Sequence, residues 1–207
     1  MVKILKVNPL NPEPEVINEA ARLILNDSLV IYPTDTVYGL GANPLREEAV
    51  IKAFKAKRRE SKPMPIIVSS VEAAERVVTI TEAARKLINN FWPGALTLVL
   101  PRKPSVPSIV TAGREGLGVR MPNHAVALAL ARACGGLILG TSANISGNPP
   151  PVAVEEALKD LGRSVDLALD AGRCRLGLPS TVIDLTGSQP LIVREGAISR
   201  KVLLPYL

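Results

Sequence analysis

Short apolar segments alternate with amphipathic segments along almost the whole chain, and this alternation constrains the fold more than any other feature. The apolar segments, LVIYP and ALTLVL among them, have the length of buried β-strands and stop at a proline. Between them, segments such as 13–25 place apolar residues, Ala20 and Ile24 among them, on one helix face. At the start of another such segment, Thr79 and Glu82 have the spacing of a capping box. This interleaving predicts an α/β domain in which helices pack on a twisted sheet.

The end of the chain predicts that this sheet contains antiparallel as well as parallel strands. Two apolar segments, 180–185 and 191–196, are separated by the turn sequence TGSQP, which is short enough for an antiparallel hairpin. The 207 residues contain no repeat, low-complexity tract or clear linker, so we expect a single domain over residues 1–207. The expected fold class is α/β, with a twisted, mixed parallel and antiparallel sheet and flanking helices.

The composition excludes several classes of protein. Hydrophobic residues make up 47% of the chain, which excludes a disordered protein, and no apolar segment is long enough to span a bilayer. The N-terminus has no signal-peptide body or cleavage site, so we expect a cytoplasmic protein without a membrane partner. Aromatic residues make up 3%, which argues against a stacking surface for single-stranded nucleic acid. A single histidine excludes a multi-histidine metal site.

The chain is basic, with a formal net charge of +6 from 25 Lys and Arg against 19 Asp and Glu. This excess suits a ligand rich in phosphate or a nucleic acid, but it is equally compatible with simple solubility. The polar motifs that follow predicted strands are more informative, because open α/β sheets bind their ligands at strand ends.

The first polar motif, YPTDTVYGLGA (32–42), continues from a predicted strand. Gly39 and Gly41 permit tight backbone turns and the close approach of a ligand to the chain. The motif is not a dinucleotide-binding fingerprint, because Pro44 occupies the position of its third glycine. Two interpretations remain: a ligand-binding loop, or an ordinary strand-to-helix connection capped by Thr and Asp.

The second motif, KAFKAKRRESKP (52–63), has Lys or Arg at six of its twelve positions and spans the end of a predicted helix. Cations at a helix C-terminus are favoured by the helix dipole, so helix capping is one explanation. The other is phosphate binding, in which Arg59 forms a forked pair with a phosphate and Lys57 supplies a point charge beside it.

Arg120, in the motif GVRMPNH (118–124), lies at the end of a predicted strand. An isolated arginine in a core is costly, so we expect Arg120 to pair with a carboxylate, either of the protein or of a ligand. His124 starts a predicted helix, where a structural role at the helix N-terminus and a catalytic role are both open.

Three further motifs, TSANISG (141–147), PSTVID (179–184) and VREG (193–196), place hydroxyl, amide and guanidinium groups beside strand ends. Each motif alone is typical of residues that stabilise backbone turns. Together with Arg59 and Arg120 they could converge on one cleft that has few groups able to accept a proton. Such a cleft suits an anionic or nucleotide ligand, and catalysis there would come from proximity and charge neutralisation.

These motifs, with KPMPIIV, FWPGALT and REGAI, occur in an order that resembles the YrdC/YciO family over about residues 29–198. The better-known members of that family are threonylcarbamoyl-AMP synthases. The resemblance implies a twisted, mixed α/β sheet with a concave, positively charged cleft. It also implies a nucleotidyltransferase reaction in which L-threonine, bicarbonate and ATP give threonylcarbamoyl-adenylate and pyrophosphate, with Mg²⁺ accompanying the ATP. The product would serve the threonylcarbamoyladenosine modification of tRNA, with a threonylcarbamoyl-transferase complex downstream and tRNA as a further partner.

The resemblance also implies roles for individual residues. Those implied to bind ATP are Lys57, Arg59, Lys62, Ser142, Asn144 and Arg194, of which Lys57 and Arg59 form the KxR pair and are the implied catalytic residues. Those implied to bind threonine are Thr36, Ser69, Arg120, Gly140 and Ser180, with Ser69 at a position where some relatives have histidine. No protein side chain is implied as a metal ligand.

Two segments depart from the family pattern. The segment KRRESKP is one residue shorter than usual and has Glu60 in place of a proline, which bears on the role of Lys62. Pro149–Pro151 stands where relatives often have a serine that contacts ATP. Two other functions remain open: a YciO-type protein that binds RNA or a nucleotide without making the adenylate, and a carbamoyl-transferring module of hydrogenase maturation. The intact KxR pair and SAN signature favour the synthase over the YciO type.

Overall fold

The computed structural model of the chain describes residues 2–59 and 62–207. Its strands are β1 (Lys3–Lys6), β2 (Val30–Tyr32), β3 (Gly39–Gly41), β4 (Ile66–Val68), β5 (Leu96–Pro101), β6 (Gly116–Arg120), β7 (Leu137–Leu139), β8 (Thr141–Ser142), β9 (Leu167–Asp170), β10 (Thr181–Asp184) and β11 (Leu191–Arg194). Its helices are α1 (Pro14–Leu25), α2 (Glu47–Ala56), α3 (Val71–Glu75), α4 (Glu82–Phe91), α5 (Ala125–Ala133), α6 (Val154–Leu161) and α7 (Arg200–Leu203). Short 3₁₀ turns cover Ser108–Thr111 and Leu204–Tyr206.

The strands form two sheets, and each sheet contains parallel and antiparallel pairs. One sheet has the strand order β1-β9-β2-β3-β8, and the other has the order β11-β10-β5-β6-β4-β7. The mixed α/β class predicted from the sequence is confirmed, and β10 and β11 form the predicted antiparallel hairpin. The strands form two sheets instead of the single sheet expected, and one of the passages between the sheets is at Gly140, between β7 and β8.

Gly140 can make this crossing because it has no side chain. A Cβ atom there would lie 2.7 Å from Cγ1 of Ile67, closer than packed carbon atoms approach each other. The backbone N–H of Gly140 donates to the carbonyl oxygen of Pro65 (2.7 Å), while that of Leu139 donates to the carbonyl oxygen of Ala42 (2.9 Å). Backbone hydrogen bonds therefore hold the two sheets together at the crossing.

The two faces of the six-stranded sheet have different surroundings, because successive side chains of a strand point to opposite faces. In β5 and β6, Leu98 and Val119 are fully buried in the larger apolar core. The alternate positions, Thr97, Gly118 and Arg120, line hollows on the other face. The alternation in these two strands thus places polar groups and a glycine on the face that carries the candidate site.

Helices α1 and α5 pack against each other and form a second apolar cluster with strands of both sheets. In α1, Ala20 and Ile24 are buried, as their spacing predicts. The cap of α4 differs from the prediction: the side chain of Thr81, not Thr79, accepts a hydrogen bond from the backbone N–H of Ala84 (3.2 Å). Within residues 2–59 and 62–207, the helices are too short or too polar to form a membrane span.

Candidate active site

A cavity of about 320 Å³ lies beside the Gly140 crossing, between the six-stranded sheet, the end of α2 and the loop after β8. All residues that the sequence assigns to the site, except Ser69, line this cavity: Thr36, Lys57, Arg59, Lys62, Arg120, Gly140, Ser142, Asn144, Ser180 and Arg194. The fold therefore brings motifs from distant parts of the chain to one place. The ligand that each residue binds stays a prediction.

Lys57 ends α2 and lies inside the protein, with 1% of the residue exposed. Its ammonium group donates hydrogen bonds to the backbone carbonyl oxygens of Ser142 and Asn144, the latter at 2.7 Å. Burial, and to a smaller extent the nearby charge of Arg59, lower the pKa of Lys57 to about 7. Lys57 thus fixes the loop after β8 and places a titratable cation at the cavity wall.

Arg59 lies just after α2 and is hydrogen-bonded to the segment before β4. Its Nε donates to the carbonyl oxygen of Lys62 (2.9 Å), and its Nη2 donates to that of Pro63 (2.6 Å). Burial, and then the charge of Arg194, lower the pKa of Arg59, because both guanidinium groups lie at the same cavity. Lys62 is exposed at the rim. The departure from the family pattern at Glu60 lies outside the described residues.

The TSANISG motif forms β8 and the loop after it. β8 pairs with β3 in an antiparallel sense, with Ser142 opposite Gly39, and this pairing starts the loop at the cavity. The amide nitrogen of Asn144 donates to the carbonyl oxygens of Ile145 (2.9 Å) and Asn148 (2.8 Å), which determines the orientation of the amide. Its oxygen, Oδ1, is buried and has no hydrogen-bond partner among the described residues, so it is an unsatisfied acceptor of a residue that lines the cavity.

Arg120 is held by three parts of the chain. It forms an ion pair with Asp35, and the two side chains are 7% and 1% exposed. Its Nη1 donates to Oγ1 of Thr36 (2.7 Å), and its Nε donates to the carbonyl oxygen of Gly94 (2.8 Å). The carboxylate that the sequence requires for Arg120 is therefore supplied by the protein. A guanidinium group has five N–H donors, and these contacts use three of them. Arg120 therefore has donors left for a ligand in the cavity.

Ser180, just before β10, belongs to a network that sequence reasoning did not find. Its hydroxyl lies 2.8 Å from Oγ1 of Thr97, while Nη2 of Arg194 donates to the carbonyl oxygen (2.9 Å) and to the hydroxyl (3.3 Å) of Ser180. Thr97 is buried and lines the cavity. The signal that could have found it is its place as the one polar residue in ALTLVL, on the face opposite the core.

The lining of the cavity is cationic. Its charged side chains, among the described residues, are Lys57, Arg59, Lys62, Arg120 and Arg194, and none is a carboxylate. Of these five, Arg120 alone forms an ion pair within the part of the chain that the structure describes. The others that make hydrogen bonds donate mainly to backbone carbonyl oxygens, which satisfy the donors without cancelling the charge. The cavity is therefore suited to an anion.

Two residues considered from the sequence lie outside this lining. β4 ends at Val68, and the backbone N–H of Ser69 donates to the carbonyl oxygen of Gly136 (3.0 Å). Pairing with the segment before β7 thus carries Ser69 to a separate shallow hollow beside Arg76, and its expected place in the site has no structural support. His124 occupies the N-cap position of α5 without a side-chain capping bond, and burial lowers its pKa.

The segment Pro149–Pro151 lies against the cavity. Pro150 belongs to its lining, and the carbonyl oxygen of Pro151 accepts a hydrogen bond from the backbone N–H of Tyr38 (2.8 Å). A proline side chain has no hydrogen-bonding group, so Pro150 contributes only an apolar surface.

A family profile described as "Telomere recombination", and named for Sua5, YciO and YrdC, matches residues 22–196. The chain belongs to the Sua5/YciO/YrdC family. The match extends over every predicted site residue, from Thr36 to Arg194, and confirms the resemblance found in the motifs.

Curated members of the Sua5/YciO/YrdC family differ in length. The chain is 43% identical over 181 residues to the threonylcarbamoyl-AMP synthase of Pyrococcus abyssi (strain GE5 / Orsay), a match that covers 86% of this chain and 53% of the relative. It is 38% identical over 199 residues to the putative threonylcarbamoyl-AMP synthase of Methanocaldococcus jannaschii, covering 95% of this chain and 94% of the relative. The chain therefore spans about half the length of the first relative and nearly all of the second.

Solved structures of the Sua5/YciO/YrdC family share the fold. The crystal structure of P. abyssi Sua5 complexed with L-threonine has a TM-score of 0.95 and 40% identity, covering 99% of this chain and 60% of that chain. The crystal structure of E. coli YciO has a TM-score of 0.89 and 28% identity, covering 100% of both chains. These likenesses confirm the mixed α/β fold.

Proposed function

We propose that the chain is an L-threonylcarbamoyladenylate synthase, which forms threonylcarbamoyl-AMP and pyrophosphate from L-threonine, bicarbonate and ATP. One observation carries the proposal: cations that have no carboxylate partner among the described residues share a cavity with Arg120. The ion pair with Asp35 holds Arg120 in place, and its remaining N–H donors are available to a ligand. The relatives named as threonylcarbamoyl-AMP synthases, from P. abyssi and, as a putative one, from M. jannaschii, support the same reaction here.

The cations would bind the triphosphate of ATP. Lys57, Arg59 and Arg194 carry charge that backbone carbonyl oxygens leave uncompensated, and phosphate oxygens would neutralise it. Lys62, at the exposed rim, adds a fourth positive charge where the triphosphate would enter.

Ser142 and Asn144 would contact ATP in different ways. The hydroxyl of Ser142 can donate to a phosphate oxygen, whereas Oδ1 of Asn144 can only accept a hydrogen bond. The amide nitrogen of Asn144 is already bonded to two carbonyl oxygens, so this side chain cannot turn to offer a donor without losing both bonds. Oδ1 therefore suits a hydroxyl or amino group of the nucleotide better than a phosphate.

Threonine would bind beside Arg120. The free donors of Arg120 would take its carboxylate, and the hydroxyls of Thr36 and Ser180 would bind its remaining polar groups. Gly140, whose open side is covered by Ile67, would border the threonine with its backbone. The two substrates would then meet near the centre of the cavity.

The reaction needs little covalent chemistry from the protein. The neutral amine of threonine adds to the carbon of bicarbonate, and water leaves to give a carbamate. An oxygen of the carbamate then attacks the α-phosphorus of ATP, so that a new P–O bond forms while the bond to pyrophosphate breaks. Lys57, Arg59 and Arg194 would neutralise the charge that develops on pyrophosphate, and Arg120 would hold threonine for in-line attack.

Mg²⁺ is proposed to reach the site as the counter-ion of ATP. Magnesium sites in proteins commonly use one or two carboxylates together with substrate phosphates. The lining offers hydroxyl and amide oxygens but no carboxylate within residues 2–59 and 62–207, so it does not fit a resident Mg²⁺. The phosphates of ATP, together with water, would therefore hold the ion.

We also propose that residues 1–207 form a single domain, since both sheets contribute to one cavity. The protein would act in the cytoplasm, and its product would pass to a threonylcarbamoyl-transferase complex that modifies tRNA. The net charge of +6 is compatible with direct contact with tRNA.

An assay of pyrophosphate release tests the proposed function. With ATP, Mg²⁺, L-threonine and bicarbonate, we expect release that requires both threonine and bicarbonate. Arg194→Ala should lower kcat/KM for ATP, whereas Arg200→Ala, at an exposed position outside the cavity lining, should not. Folded wild-type protein that releases no pyrophosphate in response to threonine would refute the synthase reaction.

A second candidate is a YciO-type protein that binds RNA or a nucleotide without forming the adenylate. The match to E. coli YciO over 100% of both chains favours it. The presence of the KxR pair and the SAN signature in the cavity favours the synthase instead. RNA binding that weakens steeply with salt, without threonine-dependent turnover, would identify the second function.

A further inference from the structure

The strand register places an apolar side chain beside Arg120. β4 and β6 are parallel, and Ile67 of β4 is paired with Arg120 of β6. Paired residues of neighbouring strands point to the same face, and the strands lie about 4.8 Å apart. Both residues line the cavity. An amino acid whose carboxylate binds Arg120 therefore has Ile67 within reach of its side chain.

The side chain of Ile67 closes the cavity at Gly140. The position of a Cβ atom on Gly140 lies 2.7 Å from Cγ1 and 2.9 Å from Cδ1 of Ile67, so the isoleucine lies directly against the glycine backbone. Ile67 is 2% exposed and belongs to the apolar cluster that includes α1 and α5. Ile138, which is paired with Ile67 in β7, belongs to the same cluster. Ile67 is thus a fixed apolar wall.

The other groups near Arg120 suit different parts of an amino acid. Thr36, Thr97 and Ser180 present hydroxyls, which can hydrogen-bond an amine, a hydroxyl or a carboxylate. Within the described lining, Ile67 and Val37 are the only branched aliphatic side chains. Of these two, Ile67 is the one paired with Arg120 in the sheet.

We propose that Ile67 contacts the methyl group on the β-carbon of threonine and thereby makes the site select threonine over serine. The inference rests on the proposed function, since it takes threonine to bind with its carboxylate on Arg120. Threonine and serine differ by this methyl group alone. A hydrophobic pocket discriminates between ligands that differ by one such group by about 10- to 200-fold.

Equilibrium binding of L-threonine and L-serine, measured by calorimetry without ATP, tests the proposal. Wild-type protein should bind threonine about tenfold or more tightly than serine. Ile67→Ala should lose most of this ratio, and the milder Ile67→Val, which preserves the packing better, should lose part of it. Ile138→Ala is the matched control, because it removes the same atoms from the same cluster but lies outside the cavity lining. It should keep the wild-type ratio.

Each other outcome overturns the proposal. An unchanged ratio in Ile67→Ala overturns it, as does wild-type protein that binds the two amino acids equally or binds neither. An equal loss of the threonine-to-serine affinity ratio in Ile138→Ala also overturns the proposal, because the loss would then come from disturbed packing of the apolar cluster. The ratio is independent of the folded fraction and of turnover. An intact wild-type ratio without pyrophosphate release would therefore refute the synthase reaction and leave the role of Ile67 standing.

Discussion

The ammonium group of Lys57 lies 2.7 Å from the carbonyl oxygen of Asn144, so the end of α2 is hydrogen-bonded to the loop that follows β8. The contact joins two motifs that the sequence presents as separate candidates for ATP binding. Arg59 and Arg194 have contacts of the same kind, since each donates to a backbone carbonyl oxygen. The cations of the site are thus positioned by the fold before any ligand binds.

Replacement of Lys57 should therefore affect both stability and ligand binding. Lys57→Met leaves the carbonyl oxygen of Asn144 without its donor, and it removes one of the two donors to the carbonyl oxygen of Ser142, which keeps the backbone N–H of Asn144. An unsatisfied buried group costs about 1–3 kcal/mol, so we expect a loss of that order in the free energy of unfolding, measured with urea, together with weaker ATP binding. Lys55→Met, at an exposed position in the last turn of α2, should change neither. Equal stability of the two variants would contradict the structural role of Lys57.

The pH dependence of stability gives a second test of Lys57. Burial lowers its pKa in the folded protein to about 7, against 10.5 for an ordinary lysine. Between these values the unfolded chain binds more protons than the folded one, so this contribution to stability grows as pH rises and is lost as pH falls through about 7. From about pH 7 to about pH 9, wild-type protein should gain stability relative to Lys57→Met. A difference between the two proteins that does not vary with pH would contradict the shifted pKa.

The ion pair of Asp35 and Arg120 should be costly to break. Asp35→Asn leaves a buried guanidinium charge without its carboxylate, and we expect a loss of about 3–5 kcal/mol in the free energy of unfolding. Asp27→Asn removes the carboxylate of a pair with Arg46 whose side chains are 20% and 55% exposed, for which about 0–1 kcal/mol is expected. Urea unfolding of both variants measures the difference. Similar losses in the two variants would show that burial of the Asp35 pair does not matter.

Gly196 should not tolerate a side chain. A Cβ atom there would lie 2.2 Å from the carbonyl oxygen of Pro179 and 2.6 Å from that of Ser180, and both residues line the cavity. Gly196→Ala should displace this backbone, with a loss of about 1–3 kcal/mol in stability and weaker threonine binding. Gly187→Ala is the matched control, because a Cβ atom on Gly187 would lie 3.8 Å from its nearest neighbour, the carbonyl oxygen of Gln189. Wild-type stability and threonine affinity in Gly196→Ala would contradict the close approach.

The sequence predicts the features that depend on local patterns. The spacing of Ala20 and Ile24 identifies one helix face, and the two apolar segments around TGSQP identify the final hairpin. Most of the cavity lining also follows from local motifs, because the motifs lie next to predicted strand ends, as Arg120 lies at the end of β6.

The features that were missed depend on contacts between distant positions or on very short elements. Asp35 and Arg120 are 85 positions apart, and no local pattern identifies which carboxylate meets the arginine. β8 has two residues, too few to show a period, so its pairing with β3 is not visible in the sequence. Threonine binding by Ser69 was implied by the family resemblance and stays a prediction; Ser69 lies outside the cavity lining, because β4 ends before it and its backbone N–H donates to Gly136.

One cavity is proposed to join threonine, bicarbonate and ATP, and the chemical identity of the nucleotide product shows whether it does. The protein is incubated with ATP, Mg²⁺, L-threonine and ¹³C-labelled bicarbonate, and the nucleotide products are separated and analysed by mass spectrometry. We expect wild-type protein to form threonylcarbamoyl-AMP that carries the label. The Arg194→Ala variant should form less of this product. An unlabelled threonyl adenylate, or AMP formed without any threonine adduct, would contradict the proposed reaction.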